Sequence, residues 1–446
     1  MRFAGRLFAL ALVGATLVWP SAEWGRPLVL ASPTAQTRSP IALLGQAGGA
    51  RLTTIDETSL AATRPRSASL GFVDAWAFSP GGRLIAVAAH PYDNGPYTDS
   101  IRFVTLPKLR LVRRTIALGG PARAMLWGRV DRLVALVDDC CSGGSALATI
   151  DVGARRVLSR RALDGAVSAI ARAPGALVVL LAPQNAIGAA RVVVAAADGT
   201  IRSVPLDQVR AGWSWPQDSG GSDPVGTQRL PGVAIDPDGY RAFVLQPDGP
   251  AAEIDLRALA VSYHELAAPR SALARLAAWL QPAAEAKGLN GPRRQARWLG
   301  GGLIALTGSD EQAAVKPNGQ LSMTVSPAGV AIVDTRDWKL RMLDGGADAV
   351  AAADGYLLVT GRTSTSESER STGMGLAVYG PDGSARFRLF AGASAWVYAV
   401  LAGKAYVSEG ASDTPTIAVI ELASGRVLDE RHTDVPVPLL VDGPDN

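Results

Sequence analysis

A strand-turn-strand unit recurs along this chain with one skeleton, and no other feature constrains the fold as tightly. It reads as Ala50–Leu70 (ARLTTIDETSLAATRPRSASL), Ala146–Leu163 (ALATIDVGARRVLSRRAL) and Ala251–Leu266 (AAEIDLRALAVSYHEL). It returns as Gly329–Leu343 (GVAIVDTRDWKLRML) and Thr416–Arg431 (TIAVIELASGRVLDER). Each time an alternating apolar strand ends near an acidic residue, a short polar turn follows, and a second strand leaves. Self-similarity at a spacing of roughly 40–50 residues marks a circular or stacked repeat protein.

Each unit pairs with an upstream hairpin. Val73–Ala88 (VDAWAFSPGGRLIAVA) turns at Ser79-Pro80-Gly81-Gly82, and Gly232–Leu245 (GVAIDPDGYRAFVL) turns at Asp236-Pro237-Asp238-Gly239. Proline second and glycine last are what a tight reverse turn demands. Weaker copies at Ala122–Val137, Val167–Ala182, Ala296–Thr307, Asp348–Thr360 and Trp396–Ser408 bring the count to seven four-stranded units. The remainder, Pro40–Gln46 with Ala50–Leu70 at one end and Pro438–Asp442 at the other, assembles an eighth unit from both termini. The expected fold is all-β, an eight-bladed β-propeller of four-stranded blades over residues 32–446, with seven blades as the alternative. Closing a ring also removes exposed sheet edges. The AFSPGGRLIAVA and AIDPDGYRAFVL turns, with TIDVGARRVLSRRAL-type hairpins, resemble β-propeller repeats of the YVTN and WD40-like kind found in exported bacterial proteins. That resemblance implies a scaffold and carries no activity with it.

The N-terminus predicts export. Arg2 and Arg6 precede an apolar core, Leu7–Trp19, and small residues follow at Ser21–Ala22 and Ala31, so residues 1–31 read as a signal peptide. The core is shorter than the roughly 20 residues of a membrane span, and an uncleaved anchor is the alternative. The expected location is secreted or cell-envelope, with no further membrane span. Net charge is only +4, with no basic stripe bearing interleaved aromatics, which excludes a nucleic-acid partner.

In an antiparallel meander the first and third turns of every unit share one face, and all other connections share the opposite face. The tight turns (SPGG, DPDG, VGAR, ADGT, TRDW, PDGS, ASGR) fall on one side. The long segments His90–Ser100, Asp138–Ser145, Gly308–Ala328, Gly361–Gly375, Asp207–Pro231 and a helical insertion at 267–295 fall on the other. Long connections on a rigid scaffold are where binding residues concentrate. On that face Asp93, Asp138, Asp139 and Asp310, and the loop tryptophans Trp213 and Trp215, are the candidate binding residues. The carboxylates would suit Ca²⁺, and no other cofactor is expected. Cys140 and Cys141 are the only cysteines. In an oxidising compartment they predict a vicinal disulfide, with a thiol pair on a soft metal or two unpaired thiols as alternatives. No catalytic residue can be assigned: only His90, His264 and His432 are available as imidazole bases, and no Gly-x-Ser-x-Gly is present. The functional expectation is a non-enzymatic protein that binds a cell-envelope glycan or another exported protein through the long-loop face. A metal-assisted lactonase or lyase at the channel mouth is the alternative.

Overall fold

The computed structural model describes residues 41–446 apart from 45–49, 57, 62–68, 91–98, 107, 129–130, 139–143, 174, 215–225, 247, 267–289, 316–320, 366–371, 411–415, 433–438 and 441–446. The leader, Asp93, Asp139, Cys140, Cys141 and Trp215 therefore lie outside the described residues, as does the insertion as far as residue 289. Every regular element among the described residues is a β-strand, and the strands pair antiparallel, with isolated parallel bridges at Thr227–Asn290 and Leu230–Arg293. None of them forms a helix long and apolar enough to cross a membrane.

The chain is a β-propeller. Meanders begin at Phe72, Ala122, Ala166, Gly232, Gly291, Ala349 and Ala395, each running outward in sequence order. The first strands of neighbouring units touch one another, as Phe72–Phe78 touches Ala122–Trp127 and Gly232–Ile235 touches Gly291–Gly300, so these strands surround the axis. The second strands have apolar neighbours on both faces. They accordingly read as continuous apolar runs, and all seven residues of Ala176–Ala182 (ALVVLLA) are buried.

The cores lie between sheets. One cluster joins Phe103 and Ala88 of the first unit to Trp127 and Leu133 of the second; the next joins Leu136 and Leu147 to Val179 and Leu181 of the third. The sequence continues through Val244 against Leu180, Phe243 against Leu306, Leu303 against Val359, and Leu358 against Val407. The last two clusters place Ile55 against Tyr406 and Leu52 against Ile85, which returns the chain of cores to the first unit. The sheet that closes this circuit is built from both termini: Ile41–Leu44 pairs with Arg51–Thr54 on one side and Leu439–Leu440 on the other.

The acid of the repeat has a physical role. Asp56, Asp151, Asp255 and Asp334 end third strands, and each carboxylate accepts amide hydrogens from the turn that follows, as Asp255 Oδ1 does from Arg257 and Ala258 at 2.8 Å. Four residues after each acid the backbone enters the left-handed region, at Leu60, Arg155, Leu259 and Trp338 (φ 50–56°). Only the last unit places glycine there, Gly425 after Glu421. The first-hairpin turns use a side chain in the same way: Ser79 Oγ accepts from Arg83 and Leu84, and Asp236 Oδ1 from Tyr240 and Arg241.

Three expectations require correction. The Gly308–Ala328 and Gly361–Gly375 segments are not loops but extensions of hairpins, Leu303–Val315 with Leu321–Pro327 and Tyr356–Thr365 with Thr372–Tyr379. Their flanks pair with each other at Thr324–Thr365 and Val325–Ser364, welding two units into one nine-stranded sheet. The 267–295 insertion is not helical throughout, since residues 291–295 belong to the strand Gly291–Gly300, paired with Leu303–Glu311. Trp213 does not sit in a loop: the strand Ile201–Ser214 runs on through it, the sheet gains a fifth strand at Thr227–Arg229, and Trp213 is left half-buried.

Two outcomes test the turn analysis. Arg155→Gly relieves a left-handed non-glycine residue and is expected to raise unfolding free energy by about 0.5–1 kcal/mol, less than the full penalty because glycine also frees the unfolded chain; urea titration that shows a loss instead refutes it. The Thr58 hydroxyl, with the Thr58 and Ser59 amides, holds the Asp56 carboxyl below the usual range, and the Ala258 and Arg257 amides do the same for Asp255. A folded pKa below the unfolded one gives stability that is complete above about pH 4 and is lost as pH falls through the folded value. Calorimetry should show Tm falling below pH 4, with a shallower fall in Asp255→Asn.

Candidate functional site

Four first strands carry a β-bulge near their beginnings, which places Asp74, Arg123, Ser168 and Tyr398 out of the regular pairing. In each case an alanine follows (Ala75, Ala124, Ala169, Ala399) and resumes the ladder. A bulge bends the strand and re-aims one side chain, here on the strands nearest the axis. The x-Ala step is visible in the sequence, but a periodicity reading passes over it because the extra residue merely interrupts the alternation.

The axis holds a cavity of about 450 Å³, lined by the first strands of the third, fourth and fifth units. That volume lies within the range of small-molecule sites. It extends from Leu230 and Arg293, at the long-loop ends of their strands, to Arg172, at the tight-turn end of its own. Its lining includes four arginines, Arg172, Arg293, Arg294 and Arg297, and no carboxylate. Two hydroxyls of the wall, Ser168 Oγ and Thr307 Oγ1, are out of water with no hydrogen-bond partner among the described residues, and Thr307 is only 2% exposed. A buried hydroxyl without a partner is costly, and it fits a site that a polar guest completes.

Arg294 is the anchor of this wall. Its side chain has no exposure, its Nη2 donates to Asp310 Oδ1 at 2.8 Å, and its Nη1 donates to the Ser309 carbonyl at 2.8 Å. Burial pulls its pKa down while the Asp310 carboxylate opposes that pull. Close approach of the two strands makes room for it. Gly308 has φ 140°, and a Cβ there would stand 2.0 Å from the Arg293 carbonyl oxygen. Beside the cavity, burial and the neighbouring Arg210 lower the pKa of Arg229, which is ion-paired with Asp248.

The first unit holds a second group of polar side chains. Asp74 at its bulge, His90 ending the second strand and Asp99 before the third meet at the long-loop side. His90 Nδ1 lies 2.8 Å from Asp74 Oδ2 and 3.2 Å from Asp99 Oδ1, and Phe72 stacks on the imidazole. His90, expected in a surface loop, is instead a strand residue only 9% exposed. Burial, with the Asp74 carboxylate beside it, pushes the Asp99 pKa up to about 6, against the Ala122 amide that donates to Asp99 Oδ2.

The other expected residues are placed as follows. Asp138 ends a second strand, accepts from Ser145 Oγ at 2.8 Å and pairs with Arg123, while Asp310 is engaged by Arg294. Trp213 stands opposite Gln228 in the ladder. His264 and His432 end outer strands, as their positions in the repeat implied. The arginines of PRRQARW, residues 292–298, escaped notice as a site because only the ring gathers them around the axis with Arg172.

No family model matches this chain, and no curated protein sequence matches it. Among solved structures it is similar to the dihydro-heme d1 dehydrogenase NirN in complex with DHE, with a TM-score of 0.56 and 13% identity over 92% of this chain and 77% of that one. It is also similar to a 6-phosphogluconolactonase-like protein from Bacteroides uniformis (TM-score 0.43, 11% identity, 90% of this chain and 100% of that one) and to the hydrazine synthase of Kuenenia stuttgartiensis (TM-score 0.31, 15% identity, 67% and 96%). At such identities the likeness bears on the fold alone, where the first of them agrees with the ring described above.

If Arg294 is the structural member of the wall, Asp310→Ala leaves a guanidinium out of water without its counter-charge. Stability is expected to fall by about 2–3 kcal/mol, below the figure for fully buried pairs because Asp310 is partly exposed. Denaturant titration showing a change under 0.5 kcal/mol would contradict the assignment.

Proposed function

We propose that this chain is an exported, eight-bladed β-propeller that binds a small acidic molecule, a carboxylate or a phosphate ester, in its axial cavity without altering it chemically. The observation that carries this reading is the cavity wall, with four arginines, two hydroxyls lacking partners and no carboxylate. A guanidinium presents its N–H groups in a planar fork that matches the paired oxygens of carboxylate and phosphate. In a cavity partly closed to water, an anionic guest is favoured by a lining that gathers several arginines and no carboxylate. The long-loop face then serves as the route of access, not as the contact surface. A neutral glycan has no use for four guanidinium groups. A metal-assisted lactonase or lyase would require carboxylates converging within the cavity, and its wall has none.

Calorimetric titration of the purified protein with citrate, with inorganic phosphate and with a neutral hexose tests this. Saturable binding of at least one anion is expected, weakening as salt is added. The Arg293→Ala/Arg297→Ala pair should weaken it at least tenfold, the scale of a lost charge-assisted hydrogen bond. Absence of anion binding, or binding indifferent to the double variant, refutes the reading. Binding of the hexose alone would return the site to a glycan on the long-loop face.

A further inference from the structure

The Asp74–His90–Asp99 group takes no part in the axial cavity, whose wall contains no residue of the first unit. We infer that it is a binding site for one divalent first-row transition metal ion, held by His90 Nδ1 and by one oxygen from each carboxylate. This rests on the geometry of the group and is independent of the anion reading.

The donor atoms are arranged as ligands are. Two carboxylate oxygens face the same ring nitrogen, at 2.8 and 3.2 Å. One nitrogen carries at most one proton and points it in one direction, so a single hydrogen bond satisfies only one of them. An ion about 2.1 Å from each of three mutually cis ligands sets those ligands about 3.0 Å apart. The two nitrogen–oxygen separations bracket that value, and all three donor atoms lie within 4.8 Å of one another, so an ion can take the place of the shared proton with small side-chain shifts.

Charge and support agree with this. The Asp99 side chain has no exposure and that of His90 only 11%, so the Asp99 carboxylate, with the partly exposed Asp74 beside it, is costly to hold ionised unless a cation balances it. A dication does so. The remaining oxygen of Asp99 accepts the Ala122 amide of the neighbouring unit at 2.6 Å, which fixes the rotation of the carboxylate and leaves Oδ1 directed at the imidazole. Phe72 lies against the ring at 5.3 Å and restricts its tilt. Asp74 reaches the group because the bulge at Val73/Ala75 takes it out of the ladder. One imidazole and two carboxylates suit Zn²⁺, Mn²⁺ or Fe²⁺; Ca²⁺ prefers six to eight oxygens.

The test uses the full chain carrying Cys140→Ser and Cys141→Ser, so that no thiol supplies a ligand. Protein stripped with chelator is dialysed separately against Zn²⁺, Mn²⁺ and Ca²⁺, then assayed for metal content and thermal unfolding. One equivalent of Zn²⁺ or Mn²⁺ with a raised Tm is expected. His90→Gln and Asp74→Asn should each weaken binding at least tenfold, while Asp164→Asn, at an exposed carboxylate outside both sites, leaves it unchanged. Asp74 is partly exposed, so its variant decides the matter if the His90 variant fails to fold. Substoichiometric metal, binding indifferent to Asp74→Asn, or equal retention of Ca²⁺ would each overturn the inference.

Discussion

Each four-stranded sheet in this molecule has apolar residues on both faces, and a sheet of that kind is stable only when another covers each side. A linear stack leaves its two outermost faces in water; a circuit leaves none. The hydrophobic clusters trace that circuit, from Phe103 and Trp127 around to Leu52 and Ile85. The terminal sheet is therefore the condition on which the rest depends. Without it Ile85, Val87 and Val104 on one side, and Tyr406 and Val419 on the other, lose their cover. Three strands far apart in sequence close it, Ile41–Leu44 between Arg51–Thr54 and Leu439–Leu440, so the ring closes only when distant segments meet.

Closure also explains why chemistry gathers near the axis. The outer strands of each unit meet solvent, and the middle ones are sealed between apolar neighbours. The first strands alone present an edge to an enclosed, partly hydrated space. Polar side chains there are shielded enough to interact strongly and open enough to meet a guest. Bulges on four of these strands, and the close approach permitted at Gly308, adjust which side chains reach that space. The scaffold repeats, and the residues it gathers do not.

Local chemistry made the fold legible in the sequence. Ser79-Pro80-Gly81-Gly82 and Asp236-Pro237-Asp238-Gly239 are turns whose first residues bond their own backbone, and the acid ending each third strand captures the next turn. Such signals act over four or five residues, and a linear reading finds them. What escaped was set by longer-range pairing. Thr324 and Val325 meet Ser364 and Thr365 across two units, and this turns polar segments rich in Ser, Thr and Gly into strands. Trp213 is drawn into a strand by Gln228 in the same way. The candidate sites were harder still. Arg172 and Arg293 are far apart in the chain, and only the ring makes them neighbours of one cavity. Asp99 lies in the His90–Ser100 segment that the repeat places among the long connections, yet it is buried and held by an amide of the next unit.

A net charge of +4 suggests a nearly neutral surface, and it conceals a division within the ring. The third to fifth units gather arginines at the axis without carboxylates in the wall; the first unit gathers two carboxylates and an imidazole without a guanidinium. Neither arrangement helps the fold. Like charges brought out of water oppose the hydrophobic circuit that encloses them, and apolar residues of similar size would pack there at no such cost. The ring tolerates both because hydrophobic clusters between the sheets hold it together. Stability supplied by the interfaces is what lets the inner strands carry clustered charge of either sign, and a cluster of one sign in a sheltered place is what a ligand of opposite sign recognises.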